Sequence, residues 1–276
     1  MTIEILMATM NRKDLKFLDT IFVNNDIKDF KILIVNQTSP ENILKTNAKN
    51  ITVINSFEKG SPHSRNLAIS KATGDICLMA DDDIVYLPNL KKSILRAYEL
   101  YPSADFISFE AVKAQNKPYF EYNFEGLHNK KTLYKVCTIT ISFKREVIIK
   151  EQIWFNHFFG VGSLFKGATE IIFLRNAYDK GLKLWHYKKA IVSHPHISSG
   201  RLMGSDNAFF ARAAVAQRFY GNLSYAWLFK YLIFTVKYDY VKRKDFIKKL
   251  RIGLNGIKKY RSLKKSGDLE KIFLET

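Results

Sequence analysis

Three consecutive carboxylates, Asp81-Asp82-Asp83, follow directly on the apolar run Ile76-Cys77-Leu78-Met79-Ala80. Like charges so close repel one another, and burying them without a partner is costly. They need solvent or a cation. Hard divalent cations take oxygen ligands, and Mg²⁺ commonly joins one or two carboxylates to substrate phosphates. An acidic turn placed before a helix start would use the same residues for the helix dipole alone.

Three further clusters could complete such a site. Upstream lies Gly60-Ser61-Pro62-His63-Ser64-Arg65-Asn66. An arginine early in a helix, near an acidic strand end, can clamp a phosphate or fix a carboxylate bidentately. Downstream, the glycine-bearing loop Phe159-Gly160-Val161-Gly162-Ser163 precedes Gly167-Ala168-Thr169-Glu170. Glutamate is ordinary at a helix start for dipole reasons. It is also a general base if it faces a substrate hydroxyl. Last comes Ser193-His194-Pro195-His196, directly after a strand-like run. A histidine there can add to a metal shell that carboxylates began, or be an ordinary loop residue.

The elements that must hold these residues alternate along the first hundred positions. Ile3 to Ala8, Lys31 to Asn36, Ile51 to Ile54 and Asp75 to Ala80 have strand character. Helical spacing is predicted over Asp14 to Val23, Ser61 to Ala72, and Leu87 through Tyr98 with Pro88 in the first turn. Strands alternating with helices imply a mainly parallel sheet covered on both faces. Ligands bind beyond the carboxyl ends of such strands, where the acidic triplet falls. Farther on, Val136 to Phe143 reads as a strand and Glu170 to Lys180 as a helix ended by Gly181. Lys183 to Tyr187 and Ala190 to His194 read as two short strands, and the remainder is helical and basic.

Composition bounds the rest. The 276 residues are 47% hydrophobic and 14% aromatic, enough for a substantial core and too apolar for disorder. Two distant cysteines, Cys77 and Cys137, lack metal-ligand spacing and read as reduced thiols. No run approaches the ~20 apolar residues of a spanning helix. Net charge is +18, and Arg201 to Thr276 carry 17 basic against 6 acidic residues, so over half of the excess sits there. A basic surface of this kind meets nucleic acid or an anionic membrane, or is simply solvated. The aromatics Trp227, Phe229, Tyr231, Phe234 and Tyr238 lie among lysines there. They suit a membrane surface or packing against the preceding domain.

Taken in order, the four clusters resemble family 2 glycosyltransferases, the inverting GT-A group. The matching segments are Gly60 to Asn66, Ala72-Thr73-Gly74-Asp75 through Asp83, and Gly167 to Glu170. The stretch from Phe159 through Gly181-Leu182-Lys183 to Val192-Ser193-His194-Pro195 is similar to bacterial members that build surface polysaccharides. The resemblance covers about residues 1–200. It implies an α/β GT-A (Rossmann-like) catalytic domain there, with a mixed, mainly parallel sheet flanked by helices. Residues 201–276 would then be a basic, aromatic-rich helical extension.

The resemblance also implies roles. Thr9, Asn11 and Arg12 lie where the first strand meets the nucleotide, and Arg65 near it. Asp81 and Asp83 match the acidic pair contacting ribose and metal, Asp82 between them is expected to help bind the nucleotide sugar, and His194 takes the late metal-side position. Glu170 matches the catalytic base. Asn36-Gln37-Thr38 stands where the family usually has an Asp that reads uracil, Ser64 replaces an Ala, and Thr169-Glu170 replaces a Glu-Asp pair. The implied reaction is inverting transfer of a sugar from a nucleotide-sugar donor, with Mn²⁺ or Mg²⁺, to a glycan or lipid-linked acceptor in bacterial surface polysaccharide synthesis. The expected location is cytoplasmic or peripheral on the inner face of the membrane. No nucleic-acid partner is expected, because nucleic acid leaves the acidic triplet without a purpose. The rival readings are a metal-dependent nucleotidyltransferase, which no Gly-rich triphosphate loop near Ala8 to Asp14 supports, and a non-catalytic nucleic-acid-binding protein.

Overall fold

The structure is a computed structural model and describes residues 1–113, 117–194 and 203–272. His196 and the expected boundary near residue 200 lie outside them.

The opening run folds as β1 (Ile3–Met10), and alternation explains why Ile5 to Ala8 is apolar without a break. Leu6 enters one core, with α2 (Ser61–Lys71), while Ile5 and Met7 enter a second core on the opposite face. A strand covered on both sides reads as a continuous hydrophobic run. β2 (Lys31–Gln37), β3 (Ile51–Ser56) and β4 (Ile76–Asp81) extend the sheet in parallel. β5 (Val85–Tyr86), β6 (Phe106–Val112), β7 (Gly126–Leu127), β8 (Ile141–Lys144) and β9 (Leu184–Ser193) complete it. Among the described residues the order is β3-β2-β1-β4-β8-β6-β9-β5, with β7 on β9. β8 runs antiparallel to β4 and β6, and β5 antiparallel to β9. The sheet is therefore mixed and mainly parallel, as expected.

Helices α1 (Phe17–Ile21) and α3 (Leu90–Leu100) border one face, and α2 and α5 (Thr169–Asp179) the other. α4 (Arg145–Lys150) follows β8. Four expectations shift. The helix predicted from Asp14 shrinks to Phe17–Ile21, because the Asp14 carboxylate accepts from the Lys16 N–H and closes a turn. Leu87 donates its N–H to the Ile191 carbonyl and so extends the β5 pairing by one residue, Pro88 lies in a turn, and α3 begins at Leu90. The two strands predicted over 183–194 are one, β9, with register shifts opposite Ser108 to Ala111 of β6. Similarly, the first half of Val136 to Phe143 is a 3-10 turn over Thr138–Thr140 that leads into β8.

The Ala72-Thr73-Gly74-Asp75 segment sits at the far end of β4 from Asp81. There the Thr73 and Gly74 N–H groups donate to the buried Glu4 carboxylate at 2.5 and 2.6 Å. Its role in this chain is to pin α2 to β1.

The basic region folds as α6 (Asp206–Tyr220), α7 (Ser224–Lys237) and α8 (Phe246–Lys265). It is docked on the sheet domain: Ala211, Ala214, Val215 and Tyr260 join the core that contains α2 and α5. α6 and α8 cross closely because Gly256 faces the Phe210 carbonyl, where a Cβ would stand 2.2 Å away. Trp227 and Tyr231 stack on each other, and Tyr231 packs on Phe209, but Phe229, Phe234 and Tyr238 remain exposed.

Candidate active site

β1, β2 and β4 end at one level. Thr9 is level with Asn36, and Ala8 with Asp81. The chain leaves β1 through Asn11 in a left-handed conformation at φ 55°, a geometry asparagine tolerates. Asn36 is fully buried and fixes this exit. Its Oδ1 accepts from the Arg12 N–H at 3.1 Å, and its Nδ2 donates to the carbonyl of Arg12 and to Asn55 Oδ1. Arg12 then turns back, its Nε 2.8 Å from Asp82 Oδ2 and its guanidinium over the Phe17 ring. Thr9 Oγ1 donates to the same Asp82 oxygen. Asp82 is thereby the tie between the ends of β1 and β4.

The other two carboxylates point to different partners. Asp81 Oδ1 lies 2.9 Å from Nη2 of Arg65, a buried arginine on α2. The Nε of that arginine is buried without a partner. Asp83 is about half exposed, with Oδ1 3.3 Å from His194 Nε2. The β5–β9 pairing causes that meeting: Val85 is opposite Ser193, the last residue of β9, which delivers the residue that follows beside the triplet. Among the described residues, no group of three or more His, Cys, Asp and Glu side chains gathers as a metal cluster. The expected set of Asp81, Asp83 and His194 is split, with Asp81 drawn to Arg65.

Glu170 is the second residue of α5, beyond a strained entry in which Ala168 holds φ 61°. Burial pushes its carboxyl above the ordinary glutamate range. Its own backbone N–H and Arg65 counter that shift, and Asp81 adds to it. Glu170, Arg65 and Asp81 therefore share one electrostatic neighbourhood.

The glycine-bearing loop explains how α2 and α5 arrive there together. The Ser61 N–H donates to the Val161 carbonyl. Gly160, at φ 140°, lies so close that a Cβ would stand 2.8 Å from both Ser61 Oγ and Thr169 Oγ1. Asn66 completes the bracket by exchanging two 2.8 Å hydrogen bonds with the backbone of Phe155. Thus Arg65 carries charge into the site while its neighbour clamps the loop. Asn66 closes the Gly60 to Asn66 motif, yet nothing local assigns it this partner 89 positions away. The partner of Gln37 is equally illegible from its neighbours: its Oε1 accepts from the Gly60 N–H and ties β2 to the start of α2. Ser64, the departure from alanine, is buried and returns its hydroxyl to the Gly60 carbonyl.

A family model described as glycosyl transferase family 2 matches residues 5–164. The chain belongs to that family. A curated relative, an uncharacterized glycosyltransferase of Haemophilus influenzae, is 28% identical over 109 residues, covering 38% of this chain and 37% of the relative. The match thus spans well under half of that relative's length. Among solved structures, S. aureus TarS 1–349 superimposes with a TM-score of 0.59 at 13% identity, covering 98% of this chain and 93% of that one. The same protein in complex with UDP-GlcNAc gives 0.59 at 14% identity, with the same coverage. At such identity the superposition establishes the shared GT-A fold. In this family-2 chain the three acidic residues of the triplet thus divide their work among Arg65, the β1 exit and His194.

Proposed function

We propose that the chain transfers a sugar, with inversion, from a UDP-sugar to a hydroxyl of a glycan or lipid-linked acceptor, in the synthesis of bacterial surface polysaccharide. The observation that carries this reading is the convergence of Glu170, Arg65 and Asp81 at the ends of parallel strands. UDP-GlcNAc in a protein of the same fold supports a uridine donor.

In this reading Thr9, Asn11 and Arg12 form the wall against which the nucleotide lies. Asn36 acts through that wall, since its amide already holds Arg12. Asp81 orients the ribose, and Asp82 keeps the wall and the triplet in register. The unpartnered Nε of Arg65 supplies a buried cationic donor for the diphosphate. Glu170 accepts the acceptor hydroxyl proton. A carboxyl raised by burial is the better base, provided it is ionised at the working pH. The hydroxyl oxygen attacks the anomeric carbon from the face opposite the diphosphate. No enzyme nucleophile intervenes, so the centre inverts.

The donor set fits a divalent cation. Asp83 supplies oxygen and His194 nitrogen, 3.3 Å apart, and diphosphate oxygens with water commonly complete such a shell. Mn²⁺ or Mg²⁺ held there, with Asp81 nearby, would neutralise charge on the departing UDP. The direct test is UDP release from a panel of UDP-sugars with Mn²⁺. Release from at least one donor, stimulated by a glycan or lipid-linked acceptor, is expected. UDP-sugars left intact while a nucleoside triphosphate yields pyrophosphate would favour the nucleotidyltransferase instead.

A further inference from the structure

α7 is apolar around most of its circumference. A helix of that kind is ordinarily buried on all sides. Here Leu228, Tyr231, Leu232 and Thr235 face inward, while Phe229 and Ile233 are 51% and 49% exposed, one turn apart. α8 lies against it in the opposite direction. Phe229 meets Phe246, Leu228 faces Gly253, and Arg261 lies over Tyr225. On α8 the exposed residues Ile247, Arg251, Leu254 and Lys258 recur at helical spacing. The outward side of this hairpin therefore presents aliphatic and aromatic groups beside cations. α7 and α8 together carry ten Lys and Arg and no Asp or Glu.

We propose that this face docks the protein onto an anionic phospholipid surface. The inference does not depend on the sugar-transfer reading. Exposed apolar side chains gain by entering the acyl boundary, and the surrounding cations gain from lipid phosphates. α7 spans 14 residues, about 21 Å at 1.5 Å per residue, so it lies along a bilayer whose hydrocarbon core is about 30 Å. No described helix is long and apolar enough to cross one. Two alternatives fit less well. A second copy docking by the same face would oppose two surfaces of like charge. Nucleic acid would use the cations and flat rings, but would leave Ile233, Ile247 and Leu254 without a role.

The test is co-sedimentation of the full chain with vesicles of phosphatidylglycerol and phosphatidylcholine, against phosphatidylcholine alone, at rising salt. The expected result is binding at least about tenfold tighter to the anionic vesicles, weakening as salt rises. Phe229→Ser with Ile233→Ser should cost about tenfold or more. Arg251→Glu with Lys258→Glu should remove the preference for anionic lipid, and as exposed charges these leave folding intact by circular dichroism. Should the serine pair unfold α7, the charge pair alone decides. The inference is overturned by absence of sedimentation with anionic vesicles at low salt, by equal binding to both vesicles, or by binding that the charge pair leaves unchanged. Duplex DNA binding, or self-association abolished by the charge pair, without vesicle binding would also overturn it.

Discussion

The strand ends and the α7–α8 hairpin both concentrate charge, in opposite ways. At the strand ends each sign meets the other: Arg12 with Asp82, Arg65 with Asp81, His194 with Asp83. On the hairpin one sign prevails, around exposed apolar groups. Paired charges hold a fixed geometry at short range, as a small ligand with defined atoms requires. A face of one sign produces a field without fine geometry, as an extended partner requires. Substitutions should therefore act on chemistry in the first region and hardly on chemistry or stability in the second.

The largest effect is expected at Glu170. Glu170→Gln should lower transfer by about 10²- to 10⁴-fold, the usual contribution of a positioned base. It should also stabilise the fold at neutral pH. A carboxyl whose folded pKa is raised is protonated in both states at low pH, and folding then bears no penalty. Above the unfolded value, near 4.3, the unfolded chain ionises first and stability is lost as pH rises through the folded value. The variant should thus melt higher than the parent at pH 8 and equally at pH 4 in thermal scans.

Next comes Gly160→Val. It forces apart the starts of α2 and α5, and so Arg65 from Glu170. About a hundredfold loss of turnover is expected, because ångström misplacements cost that much. An unaffected rate in a folded variant would detach the loop from catalysis.

A buried polar cluster should govern acid stability. Ser108 Oγ lies 2.7 Å from His128 and 2.9 Å from His186. Burial lowers His128 to about 3 and His186 to about 4. Both stay neutral in the fold while the unfolded chain takes up protons below about 6.5. Stability should fall by up to about 1.4 kcal/mol per pH unit for each histidine between pH 6.5 and 4. Denaturant titrations across that range would measure the slope, and His186→Phe should reduce it.

The smallest effect belongs to the hairpin. Lys258→Glu should change stability by no more than about 0.5 kcal/mol, since an exposed position in a field of like charges has little to lose. A larger destabilisation would place that lysine in a specific packing or ion-pair role.

What was legible in the sequence follows the range of the interactions. β1, β2 and β4, the helices α2 and α5, and the order of the acidic, arginine and glutamate clusters are written in short runs with clear periods. The partners are not. Asn66 with Phe155, Gln37 with Gly60, and Ser108 with His186 join residues that only the folded sheet brings together. β9 looked broken because Lys188-Lys189 interrupt its apolar pattern, and those residues face solvent. Asp81 and Asp83 looked like one metal pair. Arg65 takes the first, which the spacing alone does not reveal.

The central claim is that UDP is bound at the triplet together with a divalent cation. Calorimetric titration of UDP into the full chain, with and without Mn²⁺, tests it most directly. The account predicts binding that needs Mn²⁺ and falls by at least about tenfold in Asp83→Ala, with the melting temperature retained. UDP that binds equally without the cation, and equally to Asp83→Ala, would contradict it.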